Sequence, residues 1–255
     1  MSVISDQFEQ TIKQEIMARR SIKKRILFLI TRSRLNIVLF TLATIAIALF
    51  IVAALLESKG TFTITTPRAA MINYGLVLSD TPGFERPRHE LRSAPVIDMW
   101  NITQSDLPSD VDQIDGDHNG KDYLAYTFYV KNNGQKTVIY NASLSIDELH
   151  LAVDDAVRLK VYLNGEPSVH AKPQDSGQPE PNTIPFVNNV KMAAFGDRTM
   201  HVGDVDKYTV VLWLEGNDPQ CVNDILGGFL KMSMFFDARP GDEVPTETPQ
   251  EATAV

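Results

Sequence analysis

The sequence predicts a mainly β protein in which a single N-terminal transmembrane helix precedes an extracytoplasmic, antiparallel β-sandwich of the jelly-roll kind with one or two short helices. Three observations predict this architecture. One stretch of the chain is apolar without interruption, the net charge changes sign across it, and the residues after it alternate between apolar and polar side chains over several short segments. Long apolar stretches cross bilayers as helices, whereas period-two alternation is typical of strands.

The apolar stretch runs from Leu35 to Leu56 and contains 22 residues without a charge or a proline. At about 1.5 Å per residue it forms a helix of about 33 Å, enough to cross a hydrocarbon core of about 30 Å. The alternative is a cleaved secretory signal, but signal cores are about 7 to 15 residues long and end in a small-x-small site. The exit sequence LLESKG favours an uncleaved anchor, and a late cut near Ser58 to Gly60 is the alternative.

Charge on the two sides of this stretch predicts its orientation. Residues 1–34 carry eight basic and three acidic residues, a net charge of +5, whereas residues 57–255 carry 16 basic and 29 acidic residues, a net charge of −13. Because cytoplasmic flanks retain Lys and Arg, we expect a cytoplasmic N-terminus and an extracytoplasmic C-terminal domain, the type II topology. An acidic exterior repels nucleic acid and attracts cations or basic partners.

The cytoplasmic segment, residues 1–34, has a pattern of its own. Apolar residues recur at four-residue steps at Phe8, Ile12 and Ile16, and a basic cluster follows at Arg19 to Arg25. This pattern predicts a basic amphipathic helix on the inner leaflet of the membrane. The alternative is that these charges only orient the anchor.

Cysteine usage indicates the host. Cys221 is the only cysteine, so the exterior domain has no internal disulfide. Secreted animal domains often depend on disulfides, and the composition therefore favours a bacterial cell membrane, that of a Gram-positive organism. The glycosylation sequons at Asn101 and Asn141 are then interpreted as chance. Cys221 is predicted to be a small, partly buried residue, with pairing between chains as the alternative.

Residues 57–237 are predicted to form the β-sandwich. Alternation, together with β-branched and aromatic residues, marks strands separated by turn residues such as those of Asn132 to Gly134. The predicted strands are 61–66, 123–132, 137–146, 158–165, 207–216 and 229–237.

The segments between and after these strands are predicted as follows. Short helices are predicted around residues 146–156 and 219–226, the second capped by Asp218. The proline-rich residues 172–185 are predicted to be a long exposed loop. Residues 238–255 are acidic and rich in Pro and Thr, which predicts a disordered tail.

The turn before the second predicted strand contains Asp115, Asp117, Asn119 and Asp122, and its sequence, DGDHNGKD, matches the opening of a calcium-binding loop. Alternate side-chain oxygens on a tight turn converge on one hard cation. However, Tyr126 stands where such a loop supplies a bidentate Glu. Calcium binding is therefore one interpretation, and a solvated turn in which Asp and Asn bind nearby backbone is the other.

The sequence contains no motif that predicts catalysis. Its five histidines are scattered without an H-E-x-x-H pattern, and neither a G-x-S-x-G sequence nor a P-loop is present. Polar side chains gather at residues 213–224, where helix capping is preferred to ligand binding. We therefore expect that the chain is not an enzyme.

Two segments of the sequence resemble those of known proteins. DGDHNGKDYLAYTFYVKNNG (residues 115–134) and VVLWLEGNDPQC (residues 210–221), on an anchored β-rich chain, resemble uncharacterised exported surface proteins of Gram-positive bacteria. More distantly, the layout is similar to that of the TasA and camelysin family of exported matrix-fibre subunits. The resemblance implies a jelly-roll fold and a role at the cell surface or in the extracellular matrix. The longer cytoplasmic end and the lack of an evident mature start in ESKGTFTI depart from that family.

The short segment after the anchor suggests a mechanism of assembly. It consists of Thr61, Phe62, Thr63, Ile64, Thr65 and Thr66. Such an alternating strand can act as a donor strand that completes the sheet of a neighbouring subunit. The preferred interpretation is that it pairs within its own domain.

The sequence thus predicts a single-pass, membrane-anchored cell-surface protein with a structural, adhesive or matrix-assembly role. Its predicted partners are the membrane, further copies of itself or other surface proteins, and calcium is the one cofactor that the sequence suggests. The alternative is a membrane-anchored sensing module that binds a ligand or a cation.

Overall fold

The computed structural model describes Met17, residues 36–52 and residues 62–241. The chain divides into two compact units, Met1–Leu56 and Glu57–Val255. Among the described residues, no helix is both long enough and apolar enough to cross a membrane. Most of the predicted amphipathic helix and both ends of the predicted span lie outside the described residues.

In the first unit, residues 36–52 are helical and form α1. The helix exposes apolar side chains in every direction, because the four consecutive residues Ile37, Val38, Leu39 and Phe40 are all exposed. Four successive positions of an α-helix, with 3.6 residues per turn, together cover its whole circumference.

The second unit is mainly β, as predicted, and its strands form two sheets. The strands of the first sheet are β1 (Phe62–Thr65), β3 (Glu90–Arg92), β6 (Val138–His150), β10 (Lys191–Met200) and β12 (Phe229–Pro240). Those of the second are β2 (Leu76–Ser79), β4 (Gly116–Asp117), β5 (Tyr123–Asn132), β7 (Val157–Leu163), β8 (Glu166–Ala171), β9 (Ile184–Pro185) and β11 (Val205–Leu214). The helical segments are α2 (Arg68–Tyr74) and 3-10 turns at Gln104–Asp106, Val111–Gln113, Val153–Asp155 and Asn223–Ile225.

The five-stranded sheet has the order β10-β6-β12-β1-β3, and the seven-stranded sheet has the order β2-β5-β11-β7-β8-β9, with β4 beside β5. Most neighbouring strands are antiparallel. β1 runs parallel to β12, with Phe62 opposite Met232, and β8 runs parallel to β9. The prediction of an antiparallel fold is therefore wrong for these two pairs.

The two sheets share one hydrophobic core. Phe62 and Ile64 of β1 lie in the same buried cluster as Phe128 of β5 and Tyr208 of β11. The rings of Phe128 and Tyr208 stack with 5.5 Å between their centroids, and Phe236 of β12 meets Phe128 edge to face at 5.9 Å. Residues 62–65, the strand part of the segment 61–66, thus pair within their own domain. This is the interpretation that the sequence analysis prefers to donation to a neighbouring subunit.

The outer face of the seven-stranded sheet is also covered. Trp213 and Val211 of β11 form a second buried cluster with Ala125 of β5 and with Val111 from the 3-10 turn at Val111–Gln113. The long segment between β3 and β5 therefore packs across the back of the sheet, and the central strands are buried on both faces.

α2 ends where the chain passes close to itself. Gly75 has a left-handed φ of 72°, and a Cβ at this position would lie 2.2 Å from the backbone nitrogen of Gly134. Only glycine fits such a contact. The nitrogen of Asn133 also donates to the Gly75 carbonyl at 2.9 Å. α2 itself was not predicted from the sequence.

Several predicted boundaries are wrong. The helix around 146–156 is instead the end of β6, which pairs with β12 as far as His150 opposite Phe229, followed by the 3-10 turn at Val153–Asp155. The helix around 219–226 is reduced to the turn at Asn223–Ile225. At the end of β6, pairing with β12 outweighs local helical propensity.

The predicted end of the domain is also wrong. β12 runs to Pro240, opposite Val138, and the nitrogen of Gly241 donates to the Thr137 carbonyl at 3.0 Å. Residues 238–240 are therefore strand rather than tail, and residues 242–255 lie outside the described part. In the predicted loop 172–185, Glu180 is buried and residues 184–185 form β9.

Phe62→Ala tests the contribution of β1 to the core. Phe62 is fully buried, and its truncation leaves a cavity, so we expect a loss of about 3–5 kcal/mol in the free energy of unfolding. Urea unfolding of the full chain measures it. The matched control is Thr63→Ala on the opposite face of the same strand, which should cost about 1 kcal/mol or less. Equal losses for the two variants would contradict the placement of β1 in the core.

Candidate functional site

The aspartate-rich turn binds the segment that follows β3. Asp117 accepts hydrogen bonds on both carboxylate oxygens, from the Ser93 hydroxyl at 2.9 Å and from the Ala94 nitrogen at 2.7 Å. Asn119 donates to the Ser93 hydroxyl at 3.0 Å and to the Ala94 carbonyl at 2.9 Å, while its own oxygen accepts from the Ala125 nitrogen at 2.8 Å. The turn thus fixes the segment to β5.

Asp115 and Asp122 are also occupied. The Asp115 carboxylate accepts from the Tyr129 hydroxyl at 2.6 Å, and Asp122 accepts from the Trp100 nitrogen at 3.0 Å. Burial raises the pKa of Tyr129, and the hydrogen bond to Asp115 raises it further. All four residues of the predicted calcium loop therefore bind protein groups.

Calcium binding stays a prediction, but this geometry gives it no support. A cation at the turn would have to displace the hydrogen bonds that Asp117 and Asn119 make. Within residues 36–52 and 62–241, no group of three or more His, Cys, Asp or Glu side chains is arranged to hold a metal ion.

Residues 93–100, which we call the strap, carry two exposed apolar side chains. Trp100 is 68% exposed and Ile97 is 52% exposed. The backbone beneath them is held at Ala94 and Trp100 by the contacts just described. Trp213, the other tryptophan, is fully buried and donates its ring N–H to Glu215 at 3.0 Å.

A small cleft lies at the turn between β7 and β8. It has a volume of about 260 Å³ and is lined by Asp112, Tyr162, Asn164, Gly165, Lys207 and Thr209. The Lys207 ammonium donates to the Asp112 carbonyl at 2.5 Å, so the one cation on its wall is engaged by backbone. The cleft has no nucleophile paired with a base.

A polar network joins the two sheets at the same end. Asp206 of β11 accepts from the Nε and Nη2 atoms of Arg198 of β10, each at 3.0 Å, and from the Asn164 amide at 2.7 Å. The Tyr140 hydroxyl of β6 donates to Asp206 and lies 2.9 Å from the Tyr208 hydroxyl. One carboxylate thus receives donors from both sheets.

This network shifts the ionisation of its members. Burial alone would raise the pKa of Asp206, but hydrogen bonds from Arg198, Tyr140 and Asn164 outweigh it and lower the pKa. Burial raises the pKa of Tyr140, and the neighbouring Tyr208 and Asp206 raise it further. Both shifts arise from contacts within the fold rather than from an open site.

A buried ion cluster lies at the opposite end of the sheets. Arg158 of β7 contacts Asp218 at 2.6 Å and Glu180 at 3.2 Å through its Nη2 atom, and all three side chains are at least 94% buried. Asp218 was predicted to cap a helix. Instead it fastens the loop after β11 to the sheet, and Glu180 fastens the loop after β8.

The histidines and the cysteine do not form a site. His118 contacts the carbonyls of Gly116 and Val111, and His201 contacts Asp204. Burial lowers the pKa of His170, and burial followed by the charges of Asp218 and Glu215 raises the pKa of Cys221. Cys221 is partly buried with a free thiol, in agreement with the sequence-based prediction.

Comparison with known proteins identifies no family. No protein-family model matches the chain, and no curated protein matches it. A solved structure of AvmM, described as catalysing macrocyclisation in alchivemycin A biosynthesis, is similar at 10% identity and a TM-score of 0.21, over 49% of this chain and 82% of AvmM.

A β-glucosidase from Kluyveromyces marxianus in complex with glucose is similar at 17% identity and a TM-score of 0.24, over 70% of this chain and 18% of the glucosidase. Likeness at these scores carries no argument about function.

Asp206→Asn tests the network between the sheets. We expect a loss of about 1–3 kcal/mol in the free energy of unfolding near neutral pH, because Arg198 and Tyr140 lose a charged acceptor. The folded pKa of Asp206 lies below its unfolded value of about 3.9. The carboxylate therefore stabilises the fold above that pH, and this contribution is lost as the pH falls through the folded pKa.

The difference between wild type and Asp206→Asn should accordingly shrink below about pH 4, as measured by urea unfolding across the acid range. Asp204→Asn, on the exposed turn nearby, is the control and should change little. A difference that stays constant down to acid pH would contradict the ionised state assigned to Asp206.

Arg158→Met tests the buried ion cluster. It leaves two buried carboxylates without their cation, so we expect a loss of about 3–5 kcal/mol in the free energy of unfolding. Neutralising all three groups, in Arg158→Met/Glu180→Gln/Asp218→Asn, should recover part of this loss. The control is Lys160→Met, which removes a partly exposed cation from the same strand. A loss no greater than that of the control would contradict the assigned role.

Proposed function

We propose that this chain is a single-pass membrane protein that presents its β-rich unit outside a bacterial cell, where the unit serves a structural, adhesive or matrix-assembly role. The observation that carries the proposal is α1, whose apolar side chains are exposed on every side. A helix that is apolar all round requires a surrounding apolar medium. Residues 35–56 supply enough such sequence for a bilayer.

Charge supports the orientation. The segment before the apolar stretch has a net charge of +5 and the part after it has a net charge of −13. Because basic flanks stay in the cytoplasm, this charge difference supports an external β-rich unit.

The polar clusters of the unit support a structural rather than a catalytic role. Asp206 is engaged by Arg198, and Asp117 is engaged by the strap. Groups that carry out catalysis converge on a cleft with shifted pKa values. Here the shifted groups Tyr140 and Asp206 lie in a network that joins the sheets, which suits a unit whose task is to keep its shape.

Single-cysteine labelling of the full chain tests the topology. In a Cys221→Ala background, Ser176→Cys lies on an exposed loop of the β-rich unit, and Ser5→Cys lies in the basic N-terminal segment. A membrane-impermeant maleimide should label Ser176→Cys on intact cells and should label Ser5→Cys only after the membrane is opened. The reverse pattern, or no labelling of Ser176→Cys on intact cells, would contradict the proposal.

The role itself is tested in a strain that lacks the chain. We expect less cell-to-cell adhesion or less surface-attached matrix, restored by the full chain. Ile45→Arg/Ile47→Arg places two charges in the apolar stretch and should abolish both membrane retention and restoration. Unchanged adhesion and unchanged matrix in the deletion strain would contradict a structural role.

A further inference from the structure

We propose that one end of the β-rich unit, the end at which β1 begins, rests on the surface of the lipid bilayer through exposed apolar side chains. We call this the proximal end and the opposite one the distal end. The inference rests on the membrane anchor proposed above.

The strand register defines the proximal end in the five-stranded sheet. Phe62, the first described residue of β1, lies opposite Met232 of β12, and Met232 lies opposite Ile146 of β6. The residues before Met232 and after Ile146 therefore extend beyond the start of β1. The nitrogen of Ile146 donates to the Val190 carbonyl at 2.7 Å, which brings the turn before β10 to the same end.

Contacts with the seven-stranded sheet extend this end. The nitrogen of Glu215 donates to the Ala156 carbonyl at 2.9 Å, which places the loop after β11 beside the turn that follows β6. Gly228 lies against Val153 of that turn, since a Cβ on Gly228 would come within 2.2 Å of the Val153 side chain. Lys172 reaches Asp154 in the same turn at 2.8 Å.

The proximal end exposes large aliphatic side chains from its loops and from the end of β6. Leu226 is 71% exposed, and the others are between 39% and 59% exposed. These side chains are Leu149, Leu151, Val187, Val190, Val222 and Leu226. Single exposed apolar residues are ordinary, but a group of them on neighbouring loops marks a contact surface. The distal end exposes fewer, namely Ile72, Val202 and Val205.

The length of the connecting chain indicates that the surface contacted by the proximal end is the lipid bilayer. Only residues 57–61 join the apolar stretch to Phe62. Fully extended, five residues span about 18 Å, and the head-group region on each side of the hydrocarbon is itself about 5–8 Å deep. The start of β1 is therefore confined near the lipid surface, within reach of the proximal loops. The distal end is a full strand length farther away.

Charge indicates which lipid surface the end prefers. The proximal end carries both signs, with Lys231 paired to Glu148 at 3.5 Å and Asp224 exposed on the same loop as Leu226. The part of the chain after the anchor is strongly acidic. Attraction by anionic head groups therefore cannot hold this end, and the contact depends on apolar burial at the interface. Zwitterionic lipid should favour it over anionic lipid.

An environment-sensitive fluorophore tests the contact in the full chain. Leu226→Cys (proximal) and Val202→Cys (distal) are each labelled with a nitrobenzoxadiazole maleimide in a Cys221→Ala background and reconstituted in phosphatidylcholine vesicles. We expect the Leu226 probe to emit at shorter wavelength than the Val202 probe and to lose intensity when brominated lipid replaces the ordinary lipid. Added anionic lipid should reduce both effects.

Flotation of the vesicles separates the two proposals. If the chain does not float with the vesicles, the anchor fails and the lipid contact fails with it. If the chain floats and both probes behave as in water, the anchor stands and the inference is wrong. A Leu226 probe that emits at shorter wavelength without quenching by brominated lipid is covered by protein, for example a second copy, and this result also overturns the inference.

Discussion

The constraint on which the rest of the structure depends is that β5 and β11 are apolar on both faces. Ala125, Val211 and Trp213 point away from the main core and are fully buried, while Phe128 and Tyr208 point into it. A single sheet with one face open to solvent cannot bury both faces of such strands. The five-stranded sheet covers the inner face, and the long excursion between β3 and β5 must cover the outer one. The aspartate-rich turn holds this segment against β5, because its side chains bind both the strap and the backbone of β5.

One polar cluster fixes how the two sheets meet, and a second fastens loops to the seven-stranded sheet. Hydrophobic burial supplies most of the driving force but little direction, so the relative position of the sheets needs groups with fixed geometry. Asp206 supplies this at the distal end, where it receives donors from both sheets. At the proximal end, Arg158 holds two loops of the seven-stranded sheet in place through Glu180 and Asp218. In the Arg158 cluster, removal of one partner leaves a buried charge without its counter-ion, which destabilises the fold.

Strands in which apolar and polar residues alternate clearly were predicted from the sequence. Strands that lack this alternation were not. β5 was predicted with its observed bounds, whereas β10 was not, because Gly196 and Asp197 interrupt its alternation at a register shift. The segment after Ile146 has helical propensity, but its partner in β12 lies about 80 residues away along the chain. Asp117 and Asn119 were identified as unusual from their spacing. Their true partners, Ser93 and Ala94, are 23 to 26 positions distant and become neighbours only in the fold.

The parallel pairing of β1 with β12 has a mechanical consequence. The chain enters the unit along β1 and leaves it along β12, and the two strands run in the same direction side by side. A pull that holds the start of β1 and draws on the chain beyond Pro240 therefore acts along both strands in opposite senses. The hydrogen bonds between them cross the strand axes, so such a force loads the whole ladder in shear instead of opening one bond after another.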